Sequence, residues 1–182
     1  MTGKLFVISG SSGVGKGTVI KSFLEKHPEF KLSVSCTTRK PREGETDGQN
    51  YFFITREEFI KHIEAGEFLE WAEFSGNMYG TLRTYVEKKL SEGKNIILEI
   101  DTQGALKVKK VMPDATLIFI LPPSLEELEA RLRGRHTESE EAIQKRLGSI
   151  KMEIENSKHF DFKIVNDSVE NAVAELEKIC LG

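Results

Sequence analysis

Cysteine is scarce in this 182-residue chain. Only Cys36 and Cys180 occur, without the paired spacing of a disulfide framework or a zinc site, so two reduced thiols are expected. Long apolar runs are missing too: the longest, residues 115–121, is far shorter than the roughly 20 residues that cross a bilayer. Neither sign of charge dominates. With 26 Lys and Arg against 29 Asp and Glu, the net charge is -3, which argues against a general nucleic-acid binder while allowing local basic pockets. No repeat or low-complexity segment is visible, and a strand-like run follows Met1 so closely that no room is left for a signal peptide. These absences point to a cytoplasmic protein with no nucleic-acid or membrane partner. What is present, 38% hydrophobic and 30% charged residues, is the make-up of a soluble globular domain with chain enough for one core.

Glycine, by contrast, is concentrated. The stretch GSSGVGKGT places Gly10, Gly13, Gly15 and Gly17 around a single lysine, Lys16. An apolar run, residues 5–9, precedes it; after it, Ile20, Phe23 and Leu24 recur on one helical face. Strand, glycine turn and helix form the context of a phosphate-binding P-loop, and Gly10, Gly15 and Lys16 meet its G-x-x-x-x-G-K pattern. The loop amides from Gly10 through Ser11, Ser12, Gly13, Val14, Gly15, Lys16, Gly17 and Thr18 would cradle phosphates, with Lys16 reaching the outer ones.

Further strand-like runs fall at 32–35, 95–101, 116–121 and 162–165, separated by helical patterns. All look buried rather than alternating, which suits a parallel sheet covered on both faces and hence an α/β doubly wound domain. Thr55 with Glu58, Ser124 with Glu127 and Thr137 with Glu140 fit the capping box, while Gly66, Gly93 and Gly134 stand where helices should stop. Two stretches break the alternation: residues 36–81, which read as a small β-rich insert, and 125–157, which read as two arginine-dense helices.

In the first insert, Arg39 and Arg42 lie close together, with Ser35 before and Tyr51 after them and Pro41 stiffening the loop. Guanidinium forks and hydroxyls make an anion site. Further on, Glu70 interrupts the apolar run FLEWA, and alternation would put it on one face with Phe68 and Ala72. A carboxylate there needs a partner or a ligand. It can accept from guanine N1–H and N2–H together, whereas adenine would present an acceptor to it, and a site of this kind discriminates by about 10⁴–10⁵.

The glycine loop, the motif S-x-T-T-R-x-P-R-x-G-E-x-x-G-x-x-Y-x-F from Ser35 to Phe53 and E-W-A-E-x-x-G-N-x-Y-G-T from Glu70 to Thr81 resemble guanylate kinases of the bacterial kind. The resemblance continues through IILEIDTQG, RLRGRHTESEEAIQKRL and VND, and so covers nearly the whole chain. It implies one domain, 1–182: a P-loop NTPase core (1–35, 82–124 and 158–182) with a five-stranded parallel sheet flanked by helices, a GMP-binding insert (36–81) and a helical lid (125–157). It also implies ATP-dependent phosphorylation of GMP in purine metabolism and salvage, with Mg²⁺ accompanying ATP. Whether dGMP is accepted, and whether the protein is a monomer or a homodimer, is left open.

By this resemblance Ser35, Arg39, Arg42, Tyr51 and Tyr79 hold the GMP phosphate, Glu70 and Thr81 read the guanine, and Glu45 and Asp101 complete that pocket. Arg131, Arg135 and Arg146 approach the transferring phosphoryl group from the lid, and Asn166 lies against the adenine. Lys16, Arg39 and the three lid arginines form the catalytic set. Arg133 reads as a solvated ion-pair partner. Three positions depart from common patterns. Gly17 stands where many P-loops place a metal-binding hydroxyl, so Mg²⁺ would be held through ATP and water, with Thr18, Glu99 and Asp101 as candidate oxygen donors. His136 replaces a frequent glycine and Ser11 a frequent proline.

Two rivals remain. Asp101-Thr102-Gln103-Gly104 mimics a regulatory GTPase switch, but the guanine-reading N-K-x-D motif is absent. Non-catalytic guanylate-kinase-like binding modules typically lack the P-loop lysine, whereas Lys16 is present.

Overall fold

The computed structural model describes residues 2–11, 13–133 and 140–182, apart from the side chains at 125, 130–132, 142, 145 and 146. Among the described residues, nine strands and seven α-helices follow one another. A five-stranded parallel sheet has the order β2-β7-β1-β8-β9, built from Phe30–Leu32 (β2), Asn95–Glu99 (β7), Leu5–Gly10 (β1), Thr116–Leu121 (β8) and Phe162–Val165 (β9). A second sheet of four short strands has the order β4-β3-β6-β5, from Phe52–Phe53 (β4), Cys36–Thr37 (β3), Asn77–Leu82 (β6) and Phe68–Phe74 (β5).

The chain groups into two compact units. One comprises Met1–Leu5, Glu29–Leu98 and Gln103–Ala115; the other comprises Phe6–Pro28, Glu99–Thr102 and Thr116–Gly182.

In the second unit the apolar strands drive the fold. Every residue of β1 is buried, as are Leu117 to Ile120 of β8. Val19, Ile20 and Phe23 of α1 (Lys16–Lys26) and Ala172, Val173 and Leu176 of α7 (Val169–Leu181) are buried too, and the two helices pack on each other. His27, just past α1, pairs with Glu177 at 3.0 Å. Ser168 caps α7 by accepting from Asn171 N. Helices α5 (Leu125–Arg133) and α6 (Glu140–Asn156) meet through Leu128, Leu147, Ile150 and Ile154.

In the first unit α2 (Arg56–Glu64) opens with the expected capping box: Glu58 N donates to Thr55 Oγ1, and Thr55 N donates to Glu58 Oε2. Its Phe59 is buried with Cys36 and Met78 beneath the small sheet. Burial pushes the Cys36 thiol up to about 11, and the nearby Asp47 carboxylate adds to the effect. α3 (Arg83–Ser91) ends before Gly93, which takes a positive φ, as Gly66 does after α2.

Two expectations need correction. The strand expected at 32–35 lies at Phe30–Leu32, where Phe30 provides the buried anchor. Moreover, β2 and β9 are not buried throughout: they sit at the sheet edges and expose most of their residues. At the second cap, Glu127 N donates to Ser124 Oγ. Gly134, His136, Thr137 and the cap expected there lie outside the described residues. Among the described residues no helix is long and apolar enough to cross a membrane.

Candidate active site

The site residues fall into two groups, each built within one unit. The first group lies on one face of the small sheet. Residues directly opposite share a face, and the pairings Cys36↔Gly80, Thr37↔Tyr79, Trp71↔Gly80, Glu70↔Thr81 and Ala72↔Tyr79 divide the sheet cleanly. Cys36, Met78 and Gly80 face α2 and the core. Thr37, Tyr79, Thr81 and Glu70 face the other way, as does Ser35, one step before β3.

Glu70 reaches that polar face through an irregularity. On β5 two steps, from Phe68 to Glu70, match one step on β6, from Leu82 to Thr81. This is a β-bulge, and a bulge re-aims the side chains beyond it. Strict alternation would have kept Phe68 and Glu70 together. Instead Phe68 packs on Phe59, with ring centroids 4.4 Å apart on the core side, while Glu70 turns away from it. A Cβ added at Gly80 would stand 3.0 Å from each of Phe59, Phe68 and Trp71, so the core side closes onto bare backbone there.

Glu70 is 9% exposed, and Thr81 Oγ1 donates to its Oε1 at 2.8 Å. The Thr81 hydroxyl has one proton, and a carboxylate can only accept it. The contact of Ser35 Oγ with Thr81 Oγ1, 3.4 Å, therefore runs with Ser35 as donor. A relay from Ser35 through Thr81 to Glu70 fixes the carboxylate.

Arg39 is held beside this relay. Its Nη2 donates to Glu45 Oε1 at 2.8 Å, its Nη1 to the Lys40 carbonyl, and its backbone N to Thr37 Oγ1. Its guanidinium lies 5.5 Å from the Tyr51 ring centre and 5.9 Å from that of Phe53, and Tyr51 meets Tyr79 edge to face. The other Glu45 oxygen accepts from Arg42 N at 2.7 Å. These bonds, led by that to Arg39, hold the Glu45 carboxyl below the usual range, and Glu45 in turn raises Arg39. Ser35, Arg39, Glu45, Tyr51, Glu70, Tyr79 and Thr81 are thus gathered together, with Arg42 joined through its backbone.

The second group surrounds the glycine turn between β1 and α1. Gly15 is the N-cap of α1 at φ 89°, a conformation that strains other residues, and it makes no side-chain cap. The first turn of α1 contains no acidic residue, so its orphan amides and positive dipole end are left for an anion. Lys16 is the first residue of the helix. Val14 N donates to the Ser11 carbonyl, and Thr18 N and Val19 N donate to that of Gly15. A Cβ at Gly17 would stand 3.9 Å from Glu99 Oε1. Asp101 follows β7, and Asn166 follows β9, where its Nδ2 donates to the Val14 carbonyl.

Ser12, Arg135 and the side chains of Arg131 and Arg146 lie outside the described residues. Arg133 pairs with Glu129, four residues back, and with Glu140 across the two helices. Sequence reasoning missed Thr37 and Phe53. The first was signalled by its place two residues before Arg39, as in a hydroxyl turn, and the second by alternation with Tyr51. The bulge had no local signal.

The guanylate kinase family model matches residues 2–181. The chain is 51% identical to a guanylate kinase of Prochlorococcus marinus (strain MIT 9313), over 97% of this chain and 94% of that protein. It is 54% identical to one of Clostridium perfringens (strain SM101 / Type A), over 99% and 83%. Among solved structures, guanylate kinase from Anaplasma phagocytophilum superimposes with a TM-score of 0.76 at 36% identity, covering 99% of this chain and 85% of that one.

Proposed function

This chain belongs to the guanylate kinase family, and we propose how its own residues divide the work of the reaction ATP + GMP → ADP + GDP. The observation that supports this division most directly is the buried carboxylate of Glu70, aimed by the bulge and fixed by Thr81.

A carboxylate offers about four lone-pair positions, of which Thr81 uses one. Guanine N1–H and N2–H would donate to it side by side, and Ser35 and Thr81 would keep it from rotating away. Arg39, already oriented by Glu45 and the aromatic rings, would grip the GMP phosphate with Arg42, Tyr51 and Tyr79. On the donor side the amides from Gly10 to Thr18 would cradle the ATP phosphates, with Lys16 on the outer ones.

Charge sets the scale of the problem. Two groups of charge -2 at ~5 Å repel by roughly 13 kcal/mol at an effective dielectric of ~20. That exceeds any single hydrogen bond, so cations must act from several sides. Lys16, Arg39 and Arg42 are three of them; Arg131, Arg135 and Arg146 are assigned the remainder of that role. Phosphoryl transfer needs little covalent help from the protein, so positioning and charge stabilisation account for the rate.

Oxygen donors near the glycine turn suit Mg²⁺, which accompanies ATP and spreads the charge of its phosphates. A Cβ at Gly17 would stand in van der Waals contact with the Glu99 carboxylate, at 3.9 Å. Glu99 would hold metal-bound waters there, with Thr18 and Asp101 as the other candidate donors. Among the described residues no group of three or more His, Cys, Asp or Glu side chains is arranged to hold a metal.

The test is a coupled ADP-release assay with a panel of nucleoside monophosphates. GMP should be phosphorylated far faster than AMP, CMP or UMP, and little ADP should form without an acceptor. Comparable rates with AMP would overturn the base-reading assignment. GTP hydrolysis in the absence of GMP would favour a GTPase instead.

A further inference from the structure

We propose that Asn166 is a positioning residue that sets the direction of one phosphate-facing amide in the glycine turn. Its side chain is 5% exposed, and its Nδ2 donates to the Val14 carbonyl at 2.7 Å. A carbonyl only accepts, so the NH₂ end of the amide must face it, which fixes how the Asn166 side chain is turned.

The consequence lies in the next atom pair of the chain. In a trans peptide the carbonyl of Val14 and the N–H of Gly15 point in opposite directions. Tying the carbonyl to Asn166 therefore aims the Gly15 N–H away from Asn166. Gly13 and Gly15 both have positive φ, 86° and 89°, and alternating backbone conformations of this kind build anion-binding nests of amides. The Val14–Gly15 peptide is also open to flipping, because Gly15 has no Cβ to resist rotation. Flipped, it would turn a carbonyl oxygen towards the phosphates. A Cβ at position 15 would stand 2.8 Å from Asn166 Nδ2, so the glycine that makes the turn flippable is also what lets the strut approach.

Asn166 is itself well braced. Its backbone N donates to the Leu121 carbonyl at the end of β8. Its neighbour Asp167 accepts from Ser168 N and from Asn171 Nδ2 at the start of α7. A rigid sheet edge and a capped helix thus hold the strut.

The family resemblance sets Asn166 against adenine. The two roles would use different atoms, since the strut uses Nδ2, whereas Oδ1 is buried with no hydrogen-bond partner among the described residues.

The proposal rests on the turn binding ATP phosphates, and the experiment separates the two. Asn166→Asp keeps the shape and the Oδ1 acceptor but puts an acceptor opposite the Val14 carbonyl. Asn166→Ala removes the donor without adding charge. Steady-state kinetics are measured with ATP and with ITP, whose base lacks the 6-amino group. In both variants kcat/KM should fall by the same factor for the two donors, roughly 10–100-fold, with KM for GMP unchanged. The amide resonance of Gly15 should also shift less on ATP binding than in the parent. A loss confined to ATP would make Asn166 a base reader and overturn the strut, and so would undiminished activity in the variants. If Asn166→Asp fails to fold, Asn166→Ala decides on the same two donors. A parent protein inactive with ATP and GMP would sink the functional reading instead.

Discussion

Thr81 Oγ1 donates to Glu70 Oε1 across 2.8 Å, at the point where β5 carries one residue more than β6. Glu70→Gln keeps the size of the side chain and replaces one acceptor oxygen by a donor. The expected result is a fall on the order of 10² in kcat/KM for GMP, with reduced preference for GMP over AMP and little change in thermal stability. Steady-state assays with both acceptors check it, and unchanged discrimination would contradict the base-reading role.

On the other side of the same strands, Gly80 has no room for a methyl group. Its Cβ would press on Phe59, Phe68 and Trp71 at 3.0 Å, and overpacking of this kind typically costs about 1–3 kcal/mol. Gly80→Ala should lower the urea midpoint accordingly. Full stability in the variant would show that the aromatic rings yield freely.

Acid should loosen the link between Glu45 and Arg39. The folded-state pKa of Glu45 is lowered, first by its bond to Arg39 and next by that to Arg42 N. A depressed carboxylate contributes stability that is present above its unfolded pKa and is lost as pH falls through the folded one. The difference in Tm between the parent and Glu45→Gln should therefore be constant above about pH 5 and shrink as the pH falls below the ordinary carboxylate range. A difference that did not change with pH would show that the charge of Glu45 has no part in it.

Lys16 opens α1 where the ATP phosphates are proposed to lie. Lys16→Ala should lower kcat by roughly 10²–10³, the usual scale for losing one group that stabilises transition-state charge. GMP affinity, measured by calorimetry, should stay close to that of the parent. A large loss of GMP binding would show that the lysine serves the acceptor.

Features written in consecutive residues follow from the chain alone. The glycine turn, the lysine after it, the Thr55 cap of α2, the apolar strands and the glycines that end α2 and α3 each depend on a few neighbouring side chains, whose conformational preferences act locally. The sequence also supplied Arg39, Glu70 and Asn166 as candidates. How each is held was decided only in three dimensions. Alternation put Glu70 on the face of Phe68, and the pairing of β5 with β6 reversed that, because a bulge belongs to two strands and not to one. Glu45, named from the sequence for the pocket as a whole, is found bonded to the Arg39 guanidinium and the Arg42 backbone N–H. Asn166 meets Val14 across 152 positions of sequence, a contact fixed by sheet order rather than by any local pattern. The edge places of β2 and β9 likewise come from strand order, since burial on both faces is a property of neighbours that a strand's own residues do not specify.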